Sequence, residues 1–289
     1  VTHSKNCCDS PSVAAIVTGA YLRDLRHRAG LTLEEVAASL SISASTLSRA
    51  ERGHRTARPD IPAIVAARLG QRPAAIMREM RSLHHGGDWH HAVDLSGRPL
   101  ERLRAVQACA RSARVWITYV WPAALTSPAE HRRLVDAYKA MDVRPPALLA
   151  GHQPPPEDDQ LPAGTLTVLI EDSLLARAGQ TEQLAHVLAL AEERRITLRV
   201  VPIQAGITVP APLTELHLPH SATLHVTEDH VVTYLSGPDT RWLKTGLDSA
   251  EAAALPHQQG LDAVRRVVAD GPRAYDITTQ RICSETEFG

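Results

Sequence analysis

Leu31-Thr-Leu-Glu-Glu-Val-Ala-Ala-Ser-Leu-Ser-Ile-Ser-Ala-Ser-Thr-Leu-Ser-Arg-Ala-Glu-Arg-Gly53 reads as two short helices joined by a tight turn. Thr32 is placed to cap the first helix, and Glu35, three residues on, to complete a capping box. Val36, Ala37 and Leu40 then fall on one face. Ser41-Ile42 makes the turn, Ser43 offers a second N-cap, and Leu47 with Ala50 forms the buried side of the second helix. Ala37 is small where the two helices must cross, and Gly53 stops the second one. Ala44, Ser45, Thr46, Ser48, Arg49 and Arg52 are left facing outward, a polar and cationic surface suited to a DNA groove.

Flanking segments complete a helical unit. Ile16, Ala20, Leu22 and Leu25 mark a first helix whose polar side carries Arg23, Arg26, His27 and Arg28, with Gly30 at its end. Pro59-Asp60-Ile61-Pro62 opens a fourth helix and Pro73 a fifth. The motif with its flanks resembles the XRE (phage-repressor-like) family. The carrying residues are Ser43, then Leu47-Ser48, then Glu51-Arg52-Gly53, and five helices with the motif at positions two and three is that family's plan. Three positions depart from the family: Leu33 replaces a phosphate-holding glutamine, Ala44 an early polar residue, and Ser41 the turn glycine. Base edges are read by bidentate donors, which leaves Arg49 and Arg52. The resemblance implies double-stranded DNA as partner, Arg49 reading bases, Ser43, Ser45, Thr46, Ser48 and Arg52 fixing register, and Arg55 on a phosphate.

Charge divides the chain in the same place. Residues 1–83 hold 12 Lys and Arg against 7 Asp and Glu, a net of +5; the remainder holds 19 against 25, a net of −6. A basic head on an acidic body fits a duplex-binding module joined to a sensing or partner-binding one. No run approaches the roughly 18 apolar residues that span a bilayer, and the opening residues 1–12 are polar, so no membrane partner and a cytoplasmic location are expected. The four cysteines, Cys7, Cys8, Cys109 and Cys283, lack the paired spacing of a zinc site. His84-His85-Gly86-Gly87-Asp88-Trp89-His90-His91 reads as a linker rather than a chelate, because its glycines mark a hinge. No metal and no cofactor are expected.

Domains are therefore expected at 12–83 (helix-turn-helix head), 84–99 (linker), 100–270 (body) and 271–289 (polar, frayed tail). In the body, strands are read at 115–120, 165–170, 196–202, 214–218, 222–227 and 230–234, with helices at 129–141, 173–178, 181–194 and 247–270. Residues 144–162, with six prolines, form a loop. The fold class is α+β, an all-α head followed by a mostly antiparallel sheet packed by helices.

Leu166-Thr-Val-Leu-Ile-Glu-Asp-Ser-Leu-Leu175, Thr181-Glu-Gln-Leu184 and Ile196-Thr-Leu-Arg-Val-Val-Pro-Ile-Gln-Ala-Gly206 resemble the C-terminal domain, of unknown function, of actinobacterial XRE regulators of the Scr1 antitoxin-like type. Where that family carries Pro-Gly-Leu-Leu-Gln-Thr, this chain has Trp121-Pro-Ala-Ala-Leu-Thr126. The combined reading is a transcriptional regulator, homodimeric to match a two-fold operator, whose body senses a small molecule or a small protein. Trp116, Tyr119, Trp121, Tyr234 and Trp242 are candidates to wall a ligand pocket in an aromatic-poor chain. Two alternatives stay open. One is a regulator-like protein repurposed as an enzyme of specialised-metabolite biosynthesis, with Glu171, His217 and His225 as acid/base residues. The other is an antitoxin-like protein-binding module.

Overall fold

A computed structural model describes residues 11–54, 60–68, 72–84, 89–146, 148–149, 161–162, 164–272 and 275. The N-terminal region is all-helical: α1 (Val13–Arg28), α2 (Leu33–Ser39), α3 (Ala44–Glu51), α4 (Asp60–Arg68) and α5 (Pro73–Arg81). The capping box forms as the spacing requires, with Glu35 N donating to Thr32 Oγ1 at 3.1 Å and Thr32 N to Glu35 Oε2 at 2.7 Å. Val36, Ala37, Leu40, Leu47 and Ala50 pack with Leu22 and Leu31 into the head core.

Arg26 departs from its expected place on a solvated face. It is buried, and its guanidinium grips Glu51 through two hydrogen bonds of 2.6 and 2.9 Å while donating to the Leu31 carbonyl at 2.8 Å. Glu51 of the motif is thus a structural anchor tying α3 to α1, and removing either partner would strand a buried charge at a cost of about 3–5 kcal/mol. The close crossing also needs two glycines. A Cβ on Gly19 would lie 2.6 Å from the Ala50 carbonyl, and one on Gly53, where φ is +77°, would lie 2.7 Å from Ile16 N. Ser41 holds the left-handed turn at φ 50° without glycine, a conformation that costs an L-residue about 1–2 kcal/mol.

The body is built on β1 (Leu83–His84), β2 (His91–Asp94), β3 (Ser112–Ile117), β4 (Thr165–Glu171), β5 (Thr197–Val201), β6 (Leu213–His217), β7 (Thr223–Glu228) and β8 (Val232–Leu235). They form one sheet in the order β1-β2-β8-β7-β6-β3-β4-β5. Only β3–β4 and β4–β5 pair in parallel; the other neighbours are antiparallel. The sheet is therefore mixed, leaning antiparallel. In its parallel part the consecutive residues Val168, Leu169 and Ile170, and likewise Val200 and Val201, are all buried, as expected of strands covered on both faces.

The helices of the body are α6 (Pro99–Gln107), α7 (Pro128–Ala140), α8 (Thr181–Glu192), α9 (Arg241–Ala253) and α10 (His257–Asp270). One sheet face, through Ala113, Val115, Val168, Ile170, Val200 and Val226, meets α6, α8 and α10 in a single core. The other face, through Trp116, Leu169 and Leu213, is covered by Leu243, Leu247 and Ala250 of α9.

Several sequence expectations need correction. Of the stretch 84–99 read as a linker, the described residues from 89 on are tied into the body: His91–Asp94 pairs with β8, and Val13 N donates to the Trp89 carbonyl at 2.9 Å. Val13, Ile16, Val17 and Ala20 of α1 then enter the body core, while Tyr21 and Leu25 meet Ala105 of α6. Residues 173–178 hold only a short 3-10 turn, Asp172–Leu174, because the Asp172 carboxylate turns inward to accept from Ile203 N at 2.9 Å and from the Tyr275 hydroxyl at 3.3 Å. Tyr275 is buried, so the tail is anchored at this point. The helix read at 247–270 is broken ahead of Pro256, where Leu255 N donates to the Val200 carbonyl at 2.8 Å and closes the β5 edge.

Candidate functional site

The second motif helix, α3, presents the cationic surface that the sequence led us to expect. Ser43, Ser45, Arg49 and Arg52 are exposed, and Thr46 and Ser48 are half-exposed. Ser43 is committed to the cap: its Oγ accepts from Thr46 N at 3.1 Å and lies 3.0 and 2.9 Å from the hydroxyls of Ser45 and Thr46. Arg52 Nε donates to the Ser48 carbonyl at 3.1 Å, which lays its side chain along the helix. Arg49, in the last turn of the helix, projects from the exposed face. Arg55 lies outside the described residues.

The acid/base suspects do not converge. Glu171 ends β4, level with Val201 and one residue beyond the Ile117–Ile170 pair. His217 pairs with Ser112 at the opposite end of β3. Six residues of strand separate the two levels, about 20 Å at a strand's rise. Glu171 is engaged by the Ser173 hydroxyl. His217 and His225 instead flank Glu215, with Nε2 atoms 3.2 and 3.3 Å from its carboxylate.

Glu215 is the centre of an ion cluster beneath α9. It accepts from Arg114 Nε, and the same guanidinium reaches Asp248 at 2.6 Å and Glu251 at 3.1 Å. Burial would raise the Glu215 carboxyl, but the hydrogen bond from Arg114 and the charges of Arg114 and His225 hold it at about 2. One arginine thus pairs with three carboxylates and ties the sheet to α9, although Glu215 Oε1 and both ring nitrogens of His225 make no hydrogen bond among the described residues.

A different carboxyl lines a cleft between the β7–β8 turn, the segment 119–126 and α7. The cleft has a volume of ≈ 190 Å³, and Tyr119, Trp121, His131, Tyr138, Pro212 and Glu228 are among its lining residues. Glu228 is only 5% exposed, yet it accepts just one hydrogen bond, from Ala123 N to Oε2 at 2.9 Å. Its Oε1 has no partner among the described residues. Burial pushes its carboxyl up to about 7, against the pull of the Ala123 amide. Of the five aromatic candidates, Tyr119 and Trp121 line this cleft. Trp121 is fixed by its indole N–H on Gln180 Oε1 at 2.7 Å. Trp116 and Tyr234 are instead buried in the two cores, and Trp242 is exposed on α9. Sequence reading passed over Glu228 because the strand ends there in Thr-Glu-Asp, which looks like a solvated turn.

No group of three or more His, Cys, Asp or Glu side chains suited to a metal occurs among the described residues, and none of the described helices is long and apolar enough to cross a membrane. The helix-turn-helix domain family matches residues 18–75, and a domain of unknown function (DUF5753) matches residues 100–266, more than half of the chain. Comparison with curated proteins gives no match.

Proposed function

The chain belongs to the DUF5753 family, and from that premise we propose that it is a sequence-specific DNA-binding transcriptional regulator whose body senses a ligand. The observation that carries this reading is the α2–turn–α3 unit, capped at both helices and showing Arg49 outward from α3. Docked in a major groove, α3 offers Arg49 as the bidentate donor to a guanine edge. Ser45, Thr46, Ser48 and Arg52 set the register against the backbone, and Arg55 follows on a phosphate. A homodimer on a two-fold operator is the natural assembly for such a head. The division of labour runs between residues 12–83 and 100–270, with the aromatic cleft as the sensing site.

The test is fluorescence anisotropy of the full chain with its own upstream promoter duplex and a scrambled control across a salt series. We expect promoter-selective binding that falls steeply with salt. Arg49→Ala should cost about 1–3 kcal/mol of discrimination between the duplexes. A uniform loss on both duplexes would reassign Arg49 to a phosphate, and absence of binding at low salt would overturn the regulator reading.

A further inference from the structure

Three properties of the cleft point to one ligand chemistry. One of its polar groups, Glu228 Oε1, is buried and has no partner among the described residues. A buried polar atom without a partner forfeits its hydration with nothing in return, and native proteins keep few of them unless something else supplies the bond. Much of the rest of the wall is aromatic and aliphatic, with Tyr119, Trp121, Leu134 and Tyr138 among its lining residues. The charge around the cleft has one sign, for Glu228 and Asp229 line it and no Lys or Arg does so among the described residues. Among the described residues the basic side chains at its wall are His131 and His230, and His230 sits 3.8 Å from Asp229.

An anionic ligand would meet Glu228 and Asp229 with no fixed cation to offset them. A purely apolar ligand would leave Oε1 as orphaned as it is in the empty cleft. A protonated amine satisfies each feature: its N–H donates to Oε1, its charge pairs with the carboxylate, and its substituents lie against rings whose faces attract cations. We propose that the cleft is a binding site for a small organic amine carrying an apolar, ring-sized substituent, with Glu228 as its anchor. That such an amine acts as the effector rests on the regulator reading above; the chemistry of the site does not.

Binding carries a proton signature. Near neutral pH the free Glu228 carboxyl is partly protonated, because burial holds it at about 7. Pairing with an ammonium group favours the ionised form, so amine binding at pH 7 releases a fraction of a proton from Glu228. His131, His230, Asp229, Tyr119 and Tyr138 are the other titratable groups at this wall.

The full chain is titrated calorimetrically with 2-phenylethylamine, 2-phenylethanol and 3-phenylpropionate at pH 7, in two buffers of different ionisation enthalpy. We expect the amine to bind at least tenfold more tightly than the alcohol or the acid, with net proton release. Glu228→Gln should weaken the amine at least tenfold and abolish the release. A thermal melt of that variant confirms its fold, and Tyr138→Ala, on the exposed side of the cleft, should weaken the amine several-fold while leaving the proton release per bound ligand intact. Equal or tighter binding of the acid, or unchanged amine affinity in Glu228→Gln, would overturn the proposal. Those outcomes leave the promoter anisotropy untouched, and loss of promoter binding leaves these titrations untouched, so the two readings fail separately.

Discussion

Glu215 and Glu228 lie on neighbouring strands of one sheet and are both buried, yet their carboxyls are driven in opposite directions. On the α9 face, Arg114, His217 and His225 lie against Glu215, and Arg114 and His225 hold it at about 2. On the opposite face, a single backbone amide serves Glu228, and burial lifts it to about 7. Burial of a charge-bearing group therefore does not by itself mark a site. What distinguishes the two is whether the protein supplies a counter-charge: Arg114 does so for Glu215, whereas no Lys or Arg among the described residues lines the cleft at Glu228. A buried carboxyl paired with its own arginine is scaffold, and one without a cation is where a ligand has a charge to contribute.

The sharpest way to break the contrast is to remove the partner of Glu215. Arg114→Met strands a buried carboxylate between two histidines and should destabilise the fold by about 3–5 kcal/mol at neutral pH in urea unfolding. In the parent protein, a carboxyl depressed from 4.5 to about 2 contributes stability above its unfolded value, and that contribution is lost as the pH falls from about 4.5 to about 2. The variant should show a much shallower acid limb; an unchanged limb would mean that Arg114 is not what holds Glu215 down.

Glu228 should show the mirror behaviour. Its folded value lies above the unfolded one, so the parent's stability declines as pH rises from about 4.5 to about 7 and is level beyond. Glu228→Gln carries no such decline. Relative to the parent it should gain roughly 3 kcal/mol between pH 4.5 and pH 8, from 1.36 kcal/mol per pKa unit. A gap that does not grow with pH would show that Glu228 is ionised at no cost and is satisfied after all. The smallest effect is expected at Tyr234, whose buried hydroxyl has no partner among the described residues. Tyr234→Phe should change stability by no more than about 1 kcal/mol, because no hydrogen bond is lost. A loss of several kcal/mol there would tie Tyr234 into a network and bring the two faces closer in kind.

Much of the head could be read in advance because its signals are local. The capping box at Thr32 and Glu35, the cap at Ser43 and the apolar spacing of Val36, Leu40 and Leu47 all act within a few residues. Arg26 was misplaced because its partner, Glu51, is 25 residues away and no periodicity encodes such a pair. Six strands of the sheet were legible from their apolar patterns, whereas β1 and β2 are short strands at the ends of a histidine- and glycine-rich stretch and bring only Leu83 and Ala92 to the core. The cleft was half legible. Scarcity of aromatics drew attention to Tyr119 and Trp121, but the position of Glu228 depends on the turn between β7 and β8 meeting a segment more than a hundred residues earlier.

The first helix has a consequence for how such proteins diversify. Val13, Ile16, Val17 and Ala20 belong to the core of the body, while Leu22 of the same helix belongs to that of the head. The head is thus a unit of sequence without being a unit of folding. A recombination event joining these first 83 residues to a foreign C-terminal module would sever a shared core and leave an apolar flank of α1 in water. On the DNA-reading role proposed for α3, a new specificity is therefore more accessible by substitution on that helix than by exchange of interchangeable parts.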